Sequence, residues 1–551
     1  MDKETAETLA LQNVPLFAMY DATHGDTGLT RGEFEWGSET FFKMGRQKVE
    51  LARTFTSYGL DLCLCDVDTV WINDPTDYFN TYPDADILAS SDSFFTFNEV
   101  GDTGLEDWLG AAPIGALNIG LLFFRHSRRM EALCDAWVAA LEADPELWDQ
   151  NAFNRLVQAG GIMSRNDSAS SPKHSLATGF NASLVVGVLP VAAFATGHTF
   201  FVQNLYKKQQ VKPYVVHLTY QFGGASGKRH RLRERLLWLA DDDAYFGVLG
   251  SNGGGSGTSS AEENNYNNRF LAFEVTKPEL PPGFDEDTWS DVDMTNYHLA
   301  AAHAQLKEFR DALAMAQLLN RSIILPTFWC FCDKYWNKMD HCRPEEVPRY
   351  HLPFACPTDH ILNMDALPKS ALFISASSSS DSTTASSSIA TTTTTPSITP
   401  IGYREYSFLQ NPRLNKTMLE TAVEVKASPS ADHVAVGGKR HRKITVPART
   451  LNDTELVQTL VQHARDVPLL RILGSPSAIF EAERQWRSDE ERKTTFMSMF
   501  LDVLDAWCCW RPDENAEPLH PFRNDFLPAL AAATPSSGSV VGTSTTAATT
   551  T

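Results

Sequence analysis

The stretch Leu60-Asp-Leu-Cys-Leu-Cys-Asp-Val-Asp-Thr-Val-Trp71 decides how this chain is read. An apolar run closes on two carboxylates, Asp66 and Asp68, with one residue between them. The run has the length and continuity of a buried parallel strand, and open α/β sheets bind ligands at the carboxyl ends of such strands. Cys63 and Cys65 are then expected to be inert core thiols. Two acids at a strand end suit a hard divalent cation, Mn²⁺ or Mg²⁺, bridging to a phosphate. The segment points to phosphate or nucleotide chemistry.

Three uses of the pair are open. In the first it holds the cation against the diphosphate of a sugar nucleotide, and the metal neutralises the leaving group. In the second Asp66 is the nucleophile of an aspartyl-phosphate phosphatase and Asp68 its acid/base. Asp241-Asp-Asp243 is then the one candidate for a second acidic motif, although a solvated turn is its simplest explanation. In the third the acids cap a polar loop, and the chain is a non-catalytic carbohydrate-binding remnant.

The flanking sequence alternates strand and helix, which favours a mostly parallel sheet. Val14 to Tyr20 reads as a strand, and Thr40 to Tyr58 as a helix stopped by Gly59. The helix stripe is Phe41, Met44, Lys48, Leu51, Phe55 and Tyr58. Lys48 is its odd member. An unpaired buried ammonium is costly, so Lys48 is expected to reach a carboxylate or phosphate, the alternative being a lysine snorkelling from the stripe edge. Ala85 to Ala89 and Leu117 to Phe124 read as strands, and Arg128 to Leu141 as a helix with Met130, Leu133, Trp137 and Leu141 on one face.

Asn118 lies on a buried strand, where its amide must be satisfied, and Gly120 would let a ligand approach the backbone. Trp148-Asp-Gln-Asn begins a helix, so Asp149 and Gln150 could face a sugar, unless Asp149 is an ordinary N-cap. His217 closes the strand Tyr214 to Val216 and is a candidate third metal ligand, or else a satisfied core histidine. The Gly-rich basic turn Gly223-Gly-Ala-Ser-Gly-Lys-Arg-His could hold a diphosphate.

A chain of 551 residues implies two or more domains. Its net charge of -21 argues against nucleic acid or an anionic membrane as partner. The Met1 region is too polar for a secretory signal, and the longest apolar stretch, Ser183 to Gly197, is shorter than the ~18 to 20 residues a span needs. Low-complexity segments divide the chain. A domain over 1–249 is followed by a flexible linker, 250–268, and a second α/β domain over 269–532. That second domain carries a disordered Ser/Thr insertion at 375–400, and a disordered tail occupies 533–551. It opens with a helix, Tyr297 to Leu319, and a strand from Ser322 to Leu325. Cys330, Cys332, Cys342 and Cys356 are either disulfides of an oxidising compartment or reduced thiols, and spacing does not choose. The sequons at Asn166, Asn181, Asn320, Asn415 and Asn452 lean toward a secretory lumen.

Several motifs, in order, carry a family resemblance. They include Met44-Gly-Arg-Gln-Lys-Val, Cys65-Asp-Val-Asp-Thr-Val-Trp, Asn118-Ile-Gly, Trp148-Asp-Gln-Asn, Thr196-Gly-His-Thr and Gly227-Lys-Arg-His-Arg-Leu-Arg-Glu. Beyond the linker they include Ala312-Leu-Ala-Met-Ala-Gln, Cys356-Pro-Thr-Asp-His and Arg404-Glu-Tyr-Ser-Phe-Leu. The chain resembles the nucleotide-diphospho-sugar transferases that arabinosylate hydroxyproline-rich glycoproteins, the extensin β-arabinosyltransferase type. The resemblance implies a GT-A-like fold, a UDP-pentofuranose donor, a hydroxyproline-rich glycoprotein acceptor, Mn²⁺ or Mg²⁺, and a Golgi lumen with a membrane anchor. By the matching motifs, Asp66 and Asp68 would hold metal and diphosphate, while Arg46, Lys48 and Lys228 would contact the donor. Asn118, Gly120, Asp149 and Gln150 would border the sugar, with His217 as third metal ligand. That fold also starts with an apolar strand contacting the nucleobase. Nothing before Val14 supplies one, so a chain lacking its anchor and first strand is expected.

Overall fold

The computed structural model describes residues 9–11, 13–15, 36–109, 112–113, 116–164, 176–243, 245–246, 269–336, 339, 341–373, 398–437 and 442–505. The strand expected at Val14 to Tyr20, the linker and the Ser/Thr insertion fall mainly or wholly outside them. The chain divides into two compact units, Met1–Tyr220 and Gln221–Thr551. Residues 221–246 therefore go with the second unit, where Phe246 packs with Phe270 and Phe408.

The first unit begins with helix α1, Glu39–Ser57, capped by the Ser38 hydroxyl accepting from the Phe41 amide. Its buried face is Val49, Ala52 and Thr56, and Met44 and Tyr58 of the expected stripe are exposed. Small residues on that face allow close packing on helix α2, Arg128–Ala143, where Thr56 Oγ1 lies 3.8 Å from Cys134 Sγ. Met130, Leu133, Trp137 and Leu141 form the buried face of α2. Helix α3, Asp149–Val157, completes the layer.

These helices accompany a six-stranded sheet. Its strands are β1 (Leu62–Cys65), β3 (Ile87–Ser91), β4 (Leu117–Phe124), β5 (Met163–Ser164), β6 (Ala177–Gly179) and β7 (Leu184–Val188), in the order β1-β4-β3-β7-β6-β5. Only β3 and β7 pair in parallel; the other neighbours are antiparallel. The mixed α/β class holds, but the mostly parallel pattern does not describe this sheet. Strand β1 is an edge, among the described residues, rather than a buried central strand. Cys63 and Cys65 accordingly are exposed free thiols, not core residues. The acidic segment then leads into β2, Thr69–Trp71, which joins a separate three-stranded sheet with β8 (Phe194–Thr196) and β9 (Val215–His217). Asp66-Val-Asp68 thus bridges two sheets.

The second unit is built on a seven-stranded sheet with a parallel body. Strands β10 (Phe270–Ala272), β11 (Ser322–Ile324), β14 (Tyr403–Arg404), β15 (Val423–Ser428), β17 (Lys443–Pro447) and β18 (Leu469–Leu473) pair in parallel, and only β16 (Ala435–Gly437) is antiparallel. The long helix α5, Asp291–Leu319, supplies much of its core through Leu306, Phe309 and Leu313. Between them in the chain lies the hairpin β12 (Phe328–Cys330) and β13 (Phe354–Cys356), closed by the disulfide Cys330–Cys356 beside a second, Cys332–Cys342.

Candidate metal and donor site

Asp66 follows β1 directly, and its amide donates to Gly120 O at 3.0 Å, which fixes the loop against β4. Strand β4 carries a bulge here, because its register with β3 jumps from Ala89↔Leu122 to Ser90↔Asn118. The Ser90 hydroxyl fills the bulge by donating to Asn118 O and Leu121 O, each at 3.1 Å. Bulges re-aim side chains beside ligand sites, and this one turns the Asn118 to Gly120 segment toward the aspartates.

Strand β9 delivers His217 from the opposite sheet, opposite Thr69 in the ladder. Its Nε2 lies 3.3 Å from Asp68 Oδ1 and 3.6 Å from Asp66 Oδ2. One ligand atom from each of Asp66, Asp68 and His217 lies within 4.8 Å of the others. Gly120 makes this approach possible. A Cβ there would stand 2.0 Å from His217 Cε1, so the ring occupies the space a side chain would need.

Lys48 comes from α1. Its Nζ donates to Asp66 Oδ1 at 2.6 Å and to Ile119 O at 3.1 Å. One oxygen of Asp66 is therefore held by a cation, while the other faces His217. Two carboxylates and an imidazole converging in this way form a donor set suited to Mn²⁺ or Mg²⁺, with nitrogen favouring the former.

The remaining polar residues form a second cluster around Asp92, at the end of β3. Asn118 Nδ2 donates to Asp92 Oδ1 at 2.8 Å and Gln150 Nε2 to Asp92 Oδ2 at 3.0 Å. Asn118 Oδ1 accepts from the Gly120 amide at 2.8 Å, which satisfies the buried amide that the sequence flagged. Burial pushes the Asp92 carboxyl above its ordinary value, against the hydrogen bonds from Asn118 and Gln150. Sequence reading did not single out Asp92. The signal was available, since Ile87-Leu-Ala-Ser-Ser-Asp92 repeats the pattern of an apolar strand closing on an acid.

Asp149 is the first residue of α3 and is buried. Its Oδ1 accepts from the Gln150 amide at 2.9 Å, and a Cβ on Gly45 of α1 would lie 3.0 Å from its carboxyl. Burial raises the Asp149 carboxyl, and the charge of Asp66 adds to this while that of Lys48 opposes it. The helix N-terminus also favours a negative group there.

Arg46 and Lys228 complete the predicted set. Arg46 lies two positions before Lys48 on α1, a spacing that does not share a helix face, and no ion pair joins it to the site among the described residues. Lys228 belongs to the second unit, on helix α4, Gly224–Glu234. Its neighbouring glycines have packing duties. A Cβ on Gly227 would meet Phe222 O at 1.7 Å, and one on Gly223 would meet Met364 Cβ at 2.6 Å. Asp241, the phosphatase candidate, is paired with Arg233, and Asp243 with Arg413.

The nucleotide-diphospho-sugar transferase family model matches residues 1–232. The chain is 31% identical over 526 residues to arabinosyltransferase XEG113 of Arabidopsis thaliana, covering 94% of this chain and 70% of that protein. It is 25% identical over 231 residues to UDP-D-xylose:L-fucose alpha-1,3-D-xylosyltransferase 3 of the same plant, covering 39% of this chain and 52% of that one. Arabinosyltransferase RRA2, also from Arabidopsis thaliana, is 27% identical over 183 residues, covering 31% of this chain and 39% of its own length. No solved structure matches. The acid-and-histidine site sits within the matched region, and the likeness to XEG113 runs through nearly the whole sequence; the chain belongs to the nucleotide-diphospho-sugar transferase family and is a glycosyltransferase.

Proposed function

We propose that the chain transfers L-arabinofuranose from a UDP-sugar to hydroxyproline-linked arabinosides of cell-wall glycoproteins. One observation carries the donor half, namely the convergence of Asp66, Asp68 and His217 beside the Lys48 ammonium. The choice of arabinose rests on the extended similarity to XEG113. Two disulfides in the second unit support an oxidising compartment, in keeping with a Golgi lumen.

Asp66, Asp68 and His217 would hold the divalent ion, which when bound supplies charge neutralisation for a departing diphosphate. Lys48 holds Asp66 Oδ1, so the carboxylate presents its other oxygen toward His217. The bulge and the Asp92 bridge fix Asn118 and Gln150, which border the sugar. Asp149 or Gln150 stabilises positive charge developing at the anomeric carbon, where an aligned carboxylate acts strongly because the site is partly shielded from water.

Incubation with a panel of UDP-sugars and Mn²⁺, scored by UDP release, tests this. UDP-L-arabinofuranose should be the preferred donor, and Asp68→Ala should lower release about 100- to 1,000-fold. Release that survives the substitution sinks the metal assignment. Preference for UDP-xylose would move the donor toward that of the xylosyltransferases, which match the first unit.

A further inference from the structure

An aromatic cluster adjoins Asp149 in the first unit, and neither the metal site nor the Asp92 cluster uses it. Trp36 lies 5.6 Å from Trp148 in an edge-on arrangement and 5.7 Å from Phe41, with Phe41 and Trp148 6.4 Å apart. Trp36 is 72% exposed, whereas Phe41 and Trp148 are half-buried. Its presentation is fixed by local structure. Gly37 takes a left-handed φ of 78°, and Ser38 then caps α1.

The cluster is continuous with the site. Trp148 directly precedes Asp149. Phe41 stands one turn before Gly45, the residue whose Cα backs the Asp149 carboxyl, and Lys48 follows three residues later. Asp149 thus has the polar Gln150 on one side in the chain, tied to Asp92 and its cluster, and the aromatic Trp148 on the other. A donor sugar bordered by hydrogen-bonding groups accounts for the polar flank alone.

We infer that Trp36, Phe41 and Trp148 form an acceptor subsite, a stacking surface for the terminal sugar ring of the acceptor arabinoside. This rests on the glycosyl-transfer reading above. A sugar ring offers an apolar C–H face to an aromatic face while its hydroxyl rim stays wet, which suits a tryptophan held at the surface. Rigid aromatic side chains give such contact at low entropic cost.

The test is a titration of the parent protein, Trp36→Ala and Phe41→Ala with a soluble arabinofuranose oligosaccharide in the presence of UDP and Mn²⁺. An unglycosylated hydroxyproline peptide serves as the second ligand. The oligosaccharide Kd should rise about tenfold in each alanine variant, with Trp36→Phe recovering most of the loss. The acceptor KM should rise in parallel, while the donor KM moves less than about twofold. An unchanged oligosaccharide Kd overturns the subsite, as does weakening confined to the peptide, or a lowered unfolding midpoint with Kd intact. UDP release by the parent without any effect of Trp36 defeats the subsite alone. Absence of UDP release from every UDP-sugar defeats the function on which it rests.

Discussion

The two units handle concentrated charge in opposite ways. In the second unit, Asp359 accepts from Arg231 Nε at 2.9 Å and Nη2 at 2.7 Å. His360 lies between Asp359 and Asp333, 3.1 Å from one and 2.9 Å from the other, and Tyr350 donates to Asp333 as well. Lys334 pairs with Asp505. Acids are matched by protein cations and hydroxyls, and Arg231, Asp333, Lys334, Asp359 and His360 are buried. In the first unit, Asp66, Asp68, Asp92 and Asp149 gather, among the described residues, around Lys48 and His217. Carboxylates drawn this close together favour an added cation. Charge paired within a buried network marks architecture, and acids converging on a histidine mark a ligand site.

The sharpest way to break that contrast is Arg231→Met. Burial alone would raise the Asp359 carboxyl, but the charges of Arg231 and His360 outweigh it and hold the group well below its ordinary value of 3.8. Removing the guanidinium leaves a buried, uncompensated carboxylate and should cost about 3–5 kcal/mol in urea unfolding. The paired change Arg231→Met with Asp359→Leu should recover most of it. Because the folded value is depressed, the parent's contribution is present above the ordinary aspartate range and fades as pH falls below it. A cost under about 1 kcal/mol would mean the network is not paired in the sense claimed.

Gly120→Ala probes the open site by sterics alone. The new methyl cannot coexist with the His217 ring in its present place, so the imidazole must move. Misplacing one ligand should weaken Mn²⁺ binding by about 10- to 100-fold, and crowding should cost about 1–3 kcal/mol of stability. Calorimetric Mn²⁺ titration measures the first effect. An unaltered Mn²⁺ affinity would remove His217 from the ligand set.

Some of this was legible in the sequence. The Leu117–Phe124 strand, the buried face of α2 and the acid pair follow from periodicity and from apolar runs closing on carboxylates. Strand direction did not follow. A continuous apolar run such as Leu62–Cys65 reads as central and parallel, yet its alternating exposure fits a strand that, among the described residues, is paired on one side only and antiparallel. Pairing is decided by residues far away in the chain. The same limit hid the bulge, the clearance between Gly120 and His217, and the role of Asp92, each of which depends on what β4 and β9 bring from a distance. Motif similarity alone placed Lys228 in the donor set.

Asp149→Asn is the subtlest test, and it sets the two regions against each other with one type of change. Burial holds the Asp149 carboxyl above 3.8, so its contribution to stability is full below that value and is lost as pH rises through the shifted one. Above the shifted value the folded protein carries the cost of a carboxylate whose ionised form burial disfavours. The asparagine should therefore raise unfolding free energy at pH 7, within the roughly 0.5–2 kcal/mol typical of relieving a strained functional group, while transfer falls. Below pH 4 the gain should vanish. Asp359→Asn, the same chemistry in the paired network, should destabilise at neutral pH because Arg231 loses its counter-charge. Opposite signs for the two substitutions are what distinguish a site poised for a cation from a charge cluster that is already complete. If Asp149→Asn instead weakens folding at pH 7, that carboxylate belongs with the architecture, and the charge stabilisation must be sought at Gln150.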